Sequence, residues 1–262
     1  MLDSVFLQSC FKTKEFKIRL RILEKVDSTN EVARQSITEG NNDGLLIVAE
    51  QQSGGRGRYD RQWNSRRGGL YFSLVLRPPT DLTNAPLIGL LVSCAVASGL
   101  ASVGVENISV KWPNDILLGF DKVAGILCEL VTVSEDDHLI IVGVGINQNS
   151  TSSDFPLDYE YSFITVRDYV GRITSREELL CAIINKIDEF LVVVKTEKSY
   201  ESIMTEWRRW SSTLGNKVRV TDGSEVYIGV AEDILEDGSL SVLTDDGRRI
   251  VRIGDITHLR ND

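Results

Sequence analysis

The chain has 262 residues, 42% of them hydrophobic and 26% charged, which suits one large folded domain with a small companion and excludes a disordered or fibrous protein. Its 29 Lys and Arg against 38 Asp and Glu leave a net charge of −9, which argues against a general nucleic-acid coat protein that works by neutralising phosphates. The four cysteines, Cys10, Cys94, Cys128 and Cys181, lack pair spacing, so neither a metal site nor a disulfide framework is expected, and the cytosol is the expected compartment.

Asp3, Lys12, Lys14 and Glu15 interrupt the apolar residues near the N-terminus, so no export signal is expected there. Ser28 and Glu31 have capping-box spacing, which predicts a helix starting near Thr29. Short strands are predicted over residues 45–49 and 70–76, with a loop rich in Gly and Arg between them. Residues 82–105 carry no charge and are long enough to span a bilayer, yet Thr83, Asn84, Pro86, Ser93, Ser98 and Ser102 dilute the run. A buried helix over about 85–102 is the expectation, with no membrane association.

Strands are predicted next over 108–111, 116–118, 123–133 and 138–145, with a turn at 119–121 and a polar connection over 153–161. The expected fold is α+β: a mixed, largely antiparallel sheet packed by helices. Ser175 and Glu178 repeat the capping-box spacing before a helix whose stripe includes Leu179, Ile183, Ile187 and Leu191, and a second helix is expected over 199–213. Asp-Gly turns at 222, 237 and 246 then punctuate about five short strands, as in a small SH3-like β-barrel. The predicted division is a catalytic domain over 1–213 and the barrel over 214–262.

The densest chemistry lies in Gln52 and the run Ser53-Gly54-Gly55-Arg56-Gly57-Arg58-Tyr59-Asp60-Arg61-Gln62-Trp63, followed by Arg66 and Arg67. Glycine lets backbone N–H groups approach a ligand, and guanidinium forks suit carboxylate or phosphate oxygens. The run has neither the Lys-Ser/Thr ending of a Walker loop nor the glycine order of a dinucleotide-binding turn, so those readings fail. A solvated surface loop is the bland alternative. Lys111-Trp112-Pro113-Asn114-Asp115 sets a cation, an amide and a carboxylate at a strand end, although a plain Pro-Asn-Asp turn would also account for it. Lys122 sits in a turn before Val123-Ala124-Gly125-Ile126-Leu127, and Gly143-Val144-Gly145-Ile146-Asn147 ends its strand with two glycines and an amide.

The order of these motifs resembles the biotin-protein ligase family, through Ser28-Thr29-Asn30, the Gly-Arg-Gly-Arg run, Lys111 to Asp115, Lys122 to Leu127 with Glu129, and Gly143 to Asn147. The segment Ser162-Phe163-Ile164-Thr165 resembles the family's stretch beside adenine. Tyr59-Asp60 depart from the small or basic pair that usually follows the arginines. The resemblance implies a ligase core of the class II aminoacyl-tRNA-synthetase type. It also implies ATP, biotin and Mg²⁺, a biotin carboxyl carrier domain of a biotin-dependent carboxylase as acceptor, and a homodimer. Only 26 residues precede Asp27, so a short form without a DNA-binding helix-turn-helix is expected.

Residue by residue, the resemblance implies that Lys122, Arg58 and Lys111 are catalytic. It places Ser28, Thr29, Asn30, Gln52, Gly55, Arg56, Gly57, Arg58, Lys122 and Gly125 around biotin. Arg56, Arg58, Arg61, Trp63, Lys111, Asn114, Asp115, Asn147 and Phe163 fall around ATP, with Asp115 linked to Mg²⁺. A lipoate-protein ligase is the nearest alternative, faintly echoed by Ser65-Arg66-Arg67-Gly68-Gly69, but the chain lacks that family's glycine-rich, His-containing segment. A non-catalytic biotin sensor is the other, and it would not require Arg58, Lys111, Asp115 and Lys122 together.

Overall fold

A computed structural model of the chain describes residues 1–37, 42–78, 85–135, 137–151, 162–223 and 225–259. The predicted connection over 153–161 lies outside the described residues. A seven-stranded sheet forms the body, built from β1 (Arg19–Val26), β2 (Leu45–Gln52), β3 (Leu70–Leu76), β4 (Ile108–Lys111), β5 (Asp115–Leu118), β6 (Asp121–Ser134) and β7 (Asp137–Ile146). The order is β1-β2-β3-β7-β6-β5-β4. Only β1 and β2 run parallel, so the sheet is mixed and largely antiparallel as expected.

Alternation along each strand sends side chains to opposite faces. Leu46, Val48, Phe72, Leu74, Val142 and Val144 join the main core, together with α3 (Ala85–Ser102), α5 (Arg176–Glu197) and α6 (Glu201–Trp210). Apolar all round, α3 buries Leu87, Leu91, Ala95 and Leu100, which is how such a helix satisfies itself inside a globular core. Among the described residues, no helix is long and apolar enough to cross a membrane. On α5 the Ser175 hydroxyl accepts from the Glu178 N–H, as its spacing predicts.

The other face carries α2 (Thr29–Ser36) over a smaller cluster of Ala33, Leu45, Ile47, Val75, Leu139 and Ile141. Ser28 occupies the N-cap of α2 without a side-chain capping bond, and the Glu31 carboxylate faces Arg34 and Arg56. The predicted capping box is therefore not made. Along β7, the positions on this face run Leu139, Ile141, Gly143, Gly145. Apolar packing under α2 thus gives way to bare backbone at the strand's C-terminal end. That change from side chain to glycine opens the space for a site.

Two N-terminal elements were absent from the sequence expectation, α1 (Ser4–Cys10) and β1. Asp3 caps α1 by accepting from Val5 and Phe6 N–H, and Cys10 forms a disulfide with Cys181 of α5, with Cα atoms 6.0 Å apart. The expectation of no disulfide is corrected. A sequence separation of 171 leaves no local spacing to reveal the pair. A short helix α4 (Val166–Val170), capped by Thr165, precedes α5.

The C-terminal strands, β8 (Lys217–Asp222), β9 (Glu225–Ile234), β10 (Leu240–Thr244), β11 (Gly247–Val251) and β12 (Asp255–His258), pair in the order β11-β10-β9-β8-β12. They form a small antiparallel sheet, and no pairing closes its edges into a barrel among the described residues. Trp112 anchors it to the body: its N–H donates to Thr213 Oγ1 at 3.0 Å and its indole N–H to Gly238 O at 3.1 Å. Arg208 of α6 adds a 2.8 Å pair with Asp233.

Candidate active site

A cavity of about 490 Å³ opens at the glycine end of β7, between the body and the terminal sheet. Every residue named above for biotin or ATP lines it except Gly55. Gly55 instead packs under the loop, where a Cβ would lie 2.5 Å from Trp63 O and 2.7 Å from Ser65 Oγ. Two glycines of β7 have a similar role on the cavity floor. A Cβ on Gly143 would come within 2.3 Å of Asn30 Oδ1, and one on Gly145 within 2.4 Å of Trp63 Nε1. Only glycine lets these two side chains lie against the sheet.

One end of the cavity is neutral and polar. Ser28, Thr29 and Asn30, at the start of α2, are all nearly buried. Gln52 Oε1 accepts from Thr29 N–H at 2.8 Å, and Gln52 Nε2 donates to Ser65 Oγ at 2.7 Å. Since the Ser28 hydroxyl makes no cap, it remains available to the cavity. Trp63 walls this end with its ring, and its indole N–H is buried with no hydrogen-bond partner among the described residues. A buried donor in that state strongly favours an acceptor supplied by a ligand.

The other end is charged. The β4–β5 turn sets Lys111 opposite Asp115 in the register, and Lys122 of β6 forms a 2.6 Å ion pair with Asp115. The Lys122 ammonium also lies 5.2 Å from the centre of the Trp63 ring, within cation–π range. Main-chain bonds from Lys122 N–H to Ser162 O and from Ile164 N–H to Lys122 O bring Phe163 alongside. Burial holds the Lys111 ammonium below its ordinary pKa; Asp115 partly offsets this, and the neighbouring Lys122 charge lowers it further. Asn114 has its amide engaged, donating to Ile126 O at 2.7 Å, while Asn147 Oδ1 is buried with no hydrogen-bond partner among the described residues.

The loop that follows β2 folds over both ends. Tyr59 adopts the left-handed backbone region at φ 55°, and the Arg58 and Arg61 guanidiniums lie 4.9 and 5.7 Å from its ring centre. Arg58 Nη1 donates to Gly254 O at 2.9 Å and to Asp255 Oδ1 at 3.2 Å, while Arg61 pairs with the second Asp255 oxygen. Thr221, Asp255, Ile256 and Thr257 of the terminal sheet therefore line the cavity. Three arginines of that sheet, Arg248, Arg249 and Arg252, do not line it. These pair instead with Glu232, Glu225 and Asp237 outside the cavity. A carboxylate after a Gly in a late strand carries no local signal, so Asp255 was not legible.

The chain that carries this site is similar to known proteins. Residues 22–147 match the family model described as the biotin/lipoate A/B protein ligase family. The bifunctional ligase/repressor BirA of Bacillus spizizenii is 30% identical over 255 residues, covering 94% of this chain and 75% of that protein. The chain belongs to the biotin protein ligase family. The biotin–[acetyl-CoA-carboxylase] ligase of Paracoccus denitrificans is 26% identical over 90% of this chain and 98% of that protein. Among solved structures, the biotin protein ligase from Aquifex aeolicus in complex with biotin and ATP superposes with a TM-score of 0.80 at 32% identity, covering 94% of this chain and all of that one. The family model spans both biotin and lipoate ligases, but the Paracoccus and Aquifex relatives are named as biotin ligases.

Proposed function

We propose that this protein is an ATP-dependent ligase that forms biotinyl-5′-AMP and transfers biotin to a lysine of a biotin carboxyl carrier domain. The observation that carries the reading is the single cavity with two chemically distinct ends, joined at Lys122 and Trp63. A neutral bicyclic urea needs both donors and acceptors once desolvated, and Ser28, Thr29, Asn30 and Gln52 supply them. The cationic end suits a carboxylate and a triphosphate, which repel one another in solution.

In the first step a biotin carboxylate oxygen attacks the α-phosphorus, and pyrophosphate leaves with the electron pair of the cleaved P–O bond. Lys122 stands where the two anions meet, with Lys111, Arg56, Arg58 and Arg61 around them, so the chain's contribution is positioning and charge stabilisation. In the second step the acceptor lysine's amine attacks the acyl carbon, and AMP leaves. Covering the anhydride with the Gly-Arg loop keeps water from it. Gly57, Gly125, Asn114, Asn147 and Phe163 complete the enclosure.

Among the described residues there is no cluster of three or more metal-binding side chains. The donor set fits Mg²⁺ even so, because Mg²⁺ is commonly held by one carboxylate and the phosphates of its nucleotide, and Asp115 is a carboxylate at the cationic end. Asp115 would hold the ion, whose chemistry here is to offset phosphate charge. The reading extends to a homodimer that binds no DNA.

Incubation with labelled biotin, ATP, Mg²⁺ and a carrier domain tests the proposal directly. Label on the acceptor lysine supports it. Label from lipoate in preference to biotin would favour the lipoate alternative, and biotin binding without pyrophosphate release would favour a sensor.

A further inference from the structure

Behind the neutral end of the cavity runs a chain of polar contacts that begins at Glu129. This residue sits on β6 opposite Ile141, on the face that also carries Leu127 and Gly125. One of its oxygens accepts from Asn30 Nδ2 at 2.6 Å and the other from Arg34 Nη2 at 3.0 Å. Asn30 Oδ1 lies 2.5 Å from Ser73 Oγ, and Ser73 Oγ lies 2.7 Å from Thr29 Oγ1. Thr29 Oγ1 is then 3.1 Å from Gln52 Oε1, which already accepts the Thr29 N–H.

Counting hydrogens along this chain fixes its direction. A carboxylate accepts only, so the Asn30 amide must turn its NH₂ to Glu129 and its oxygen to Ser73. The opposite orientation would set two oxygens 2.6 Å apart with no hydrogen between them. Asn30 Oδ1 has no hydrogen, so the 2.5 Å contact must contain that of Ser73. Ser73 then has none left, and the single Thr29 hydrogen, which could serve either the 2.7 Å contact with Ser73 or the 3.1 Å contact with Gln52, goes to the shorter one. The longest contact, Thr29 to Gln52, is thereby left as two acceptors side by side at the cavity wall. Asn30, Thr29 and Ser73 are each less than 5% exposed, so solvent does not scramble this order.

We infer that Glu129 is a specificity-determining positioning residue: its carboxylate orders the hydrogens from Thr29 through Ser73 to Asn30, so that Thr29 and Gln52 together demand an N–H donor from the ligand. Given the biotin reading above, on which this inference rests, the donor is a ureido N–H. A ligand with oxygen in place of that nitrogen meets two unpaired acceptors and is rejected.

The experiment compares biotin with its two cyclic carbamate analogues, each having one ureido N–H replaced by oxygen. Binding is measured by calorimetry, and adenylation by pyrophosphate release, for the unaltered protein, Glu129→Gln and Ser73→Ala. The unaltered protein should bind one of the analogues about 100-fold more weakly than biotin. Glu129→Gln can donate to Asn30 and reverse the chain, and Ser73→Ala interrupts it. Each should cut the preference for biotin about tenfold and raise KM for biotin, with KM for ATP unmoved. The same preference in all three proteins would overturn the inference, as would equal loss for both substrates. If Glu129→Gln does not fold, Ser73→Ala decides alone. A parent protein that binds biotin selectively but releases no pyrophosphate would count against the ligase reading and leave the binding ratio to judge Glu129. Failure to bind biotin at all would overturn both.

Discussion

Arg58 and Asp255 are 197 residues apart in sequence, yet the guanidinium donates to that carboxylate at 3.2 Å and to the preceding carbonyl of Gly254 at 2.9 Å. With Arg61 on the second oxygen, one aspartate of the terminal sheet holds two arginines of the active-site loop. Forked pairs of this kind, partly shielded from water, exceed ordinary surface pairs in strength. Asp255→Ala should therefore raise the rate of trypsin cleavage after Arg58 or Arg61 about five- to tenfold in the protein without ligands, for a loss of about 1 kcal/mol of loop closure. An unchanged rate would show that Asp255 does not hold the loop.

Lys122 bridges the two ends of the cavity, 2.6 Å from Asp115 and facing the Trp63 ring. Lys122→Ala should slow pyrophosphate release by about 100-fold or more, since it removes a cation at the point where two anions react. Biotin binding should fall less. Near-normal pyrophosphate release would remove Lys122 from the reaction.

Gly145→Ala introduces a methyl group 2.4 Å from the Trp63 indole nitrogen, so the ring must shift. Displacing the ring should destabilise the fold by about 1–3 kcal/mol and weaken biotin binding as well. Urea denaturation with calorimetry on the same protein tests both effects. A stable variant with full affinity would show that Trp63 does not pack there.

His258 lies in β12 near Lys111, and burial followed by the Lys111 charge pushes its pKa down to about 4 from 6.5. The unfolded chain then binds this proton more readily than the folded one, so its contribution to stability is present above pH 6.5 and is lost as pH falls toward 4. Melting between pH 7 and 4.5 should show a fall that His258→Asn reduces by a few degrees. An identical pH dependence in the variant would rule His258 out.

The Cys10–Cys181 disulfide closes a sequence separation of 171 residues between α1 and α5. Loop-closure entropy sets its contribution at up to about 5 kcal/mol. Reduction should lower Tm and add two hydrogens, about 2 Da, to the parent, and should add none to Cys10→Ser. No mass change in the parent would mean that the bond is not formed.

Much of this protein follows from local sequence chemistry. Strand alternation and the Ser175 cap predicted β2 to β7, α3 and α5 closely, because those signals act within a few residues. The residues assigned to biotin or ATP from the motifs also marked the cavity lining, with Gly55 the exception, because glycines, arginines and lysines in such density have few other uses. Other features depend on partners distant in the chain. Ser28 had the right spacing for a capping box, but Glu31 turned to Arg34 on its own helix and to Arg56, a charge that only the folded loop brings near. The Cys10–Cys181 bond, the orientation of Asn30 by Glu129 and the hold of Asp255 on Arg58 all join segments roughly 100 to 200 residues apart. Sequence by itself determined which groups this chain possesses and the strands and helices that carry them. Tertiary structure decided which of those groups meet, because hydrogen bonds and ion pairs act over a few ångströms and only the packed sheets bring such distant segments that close.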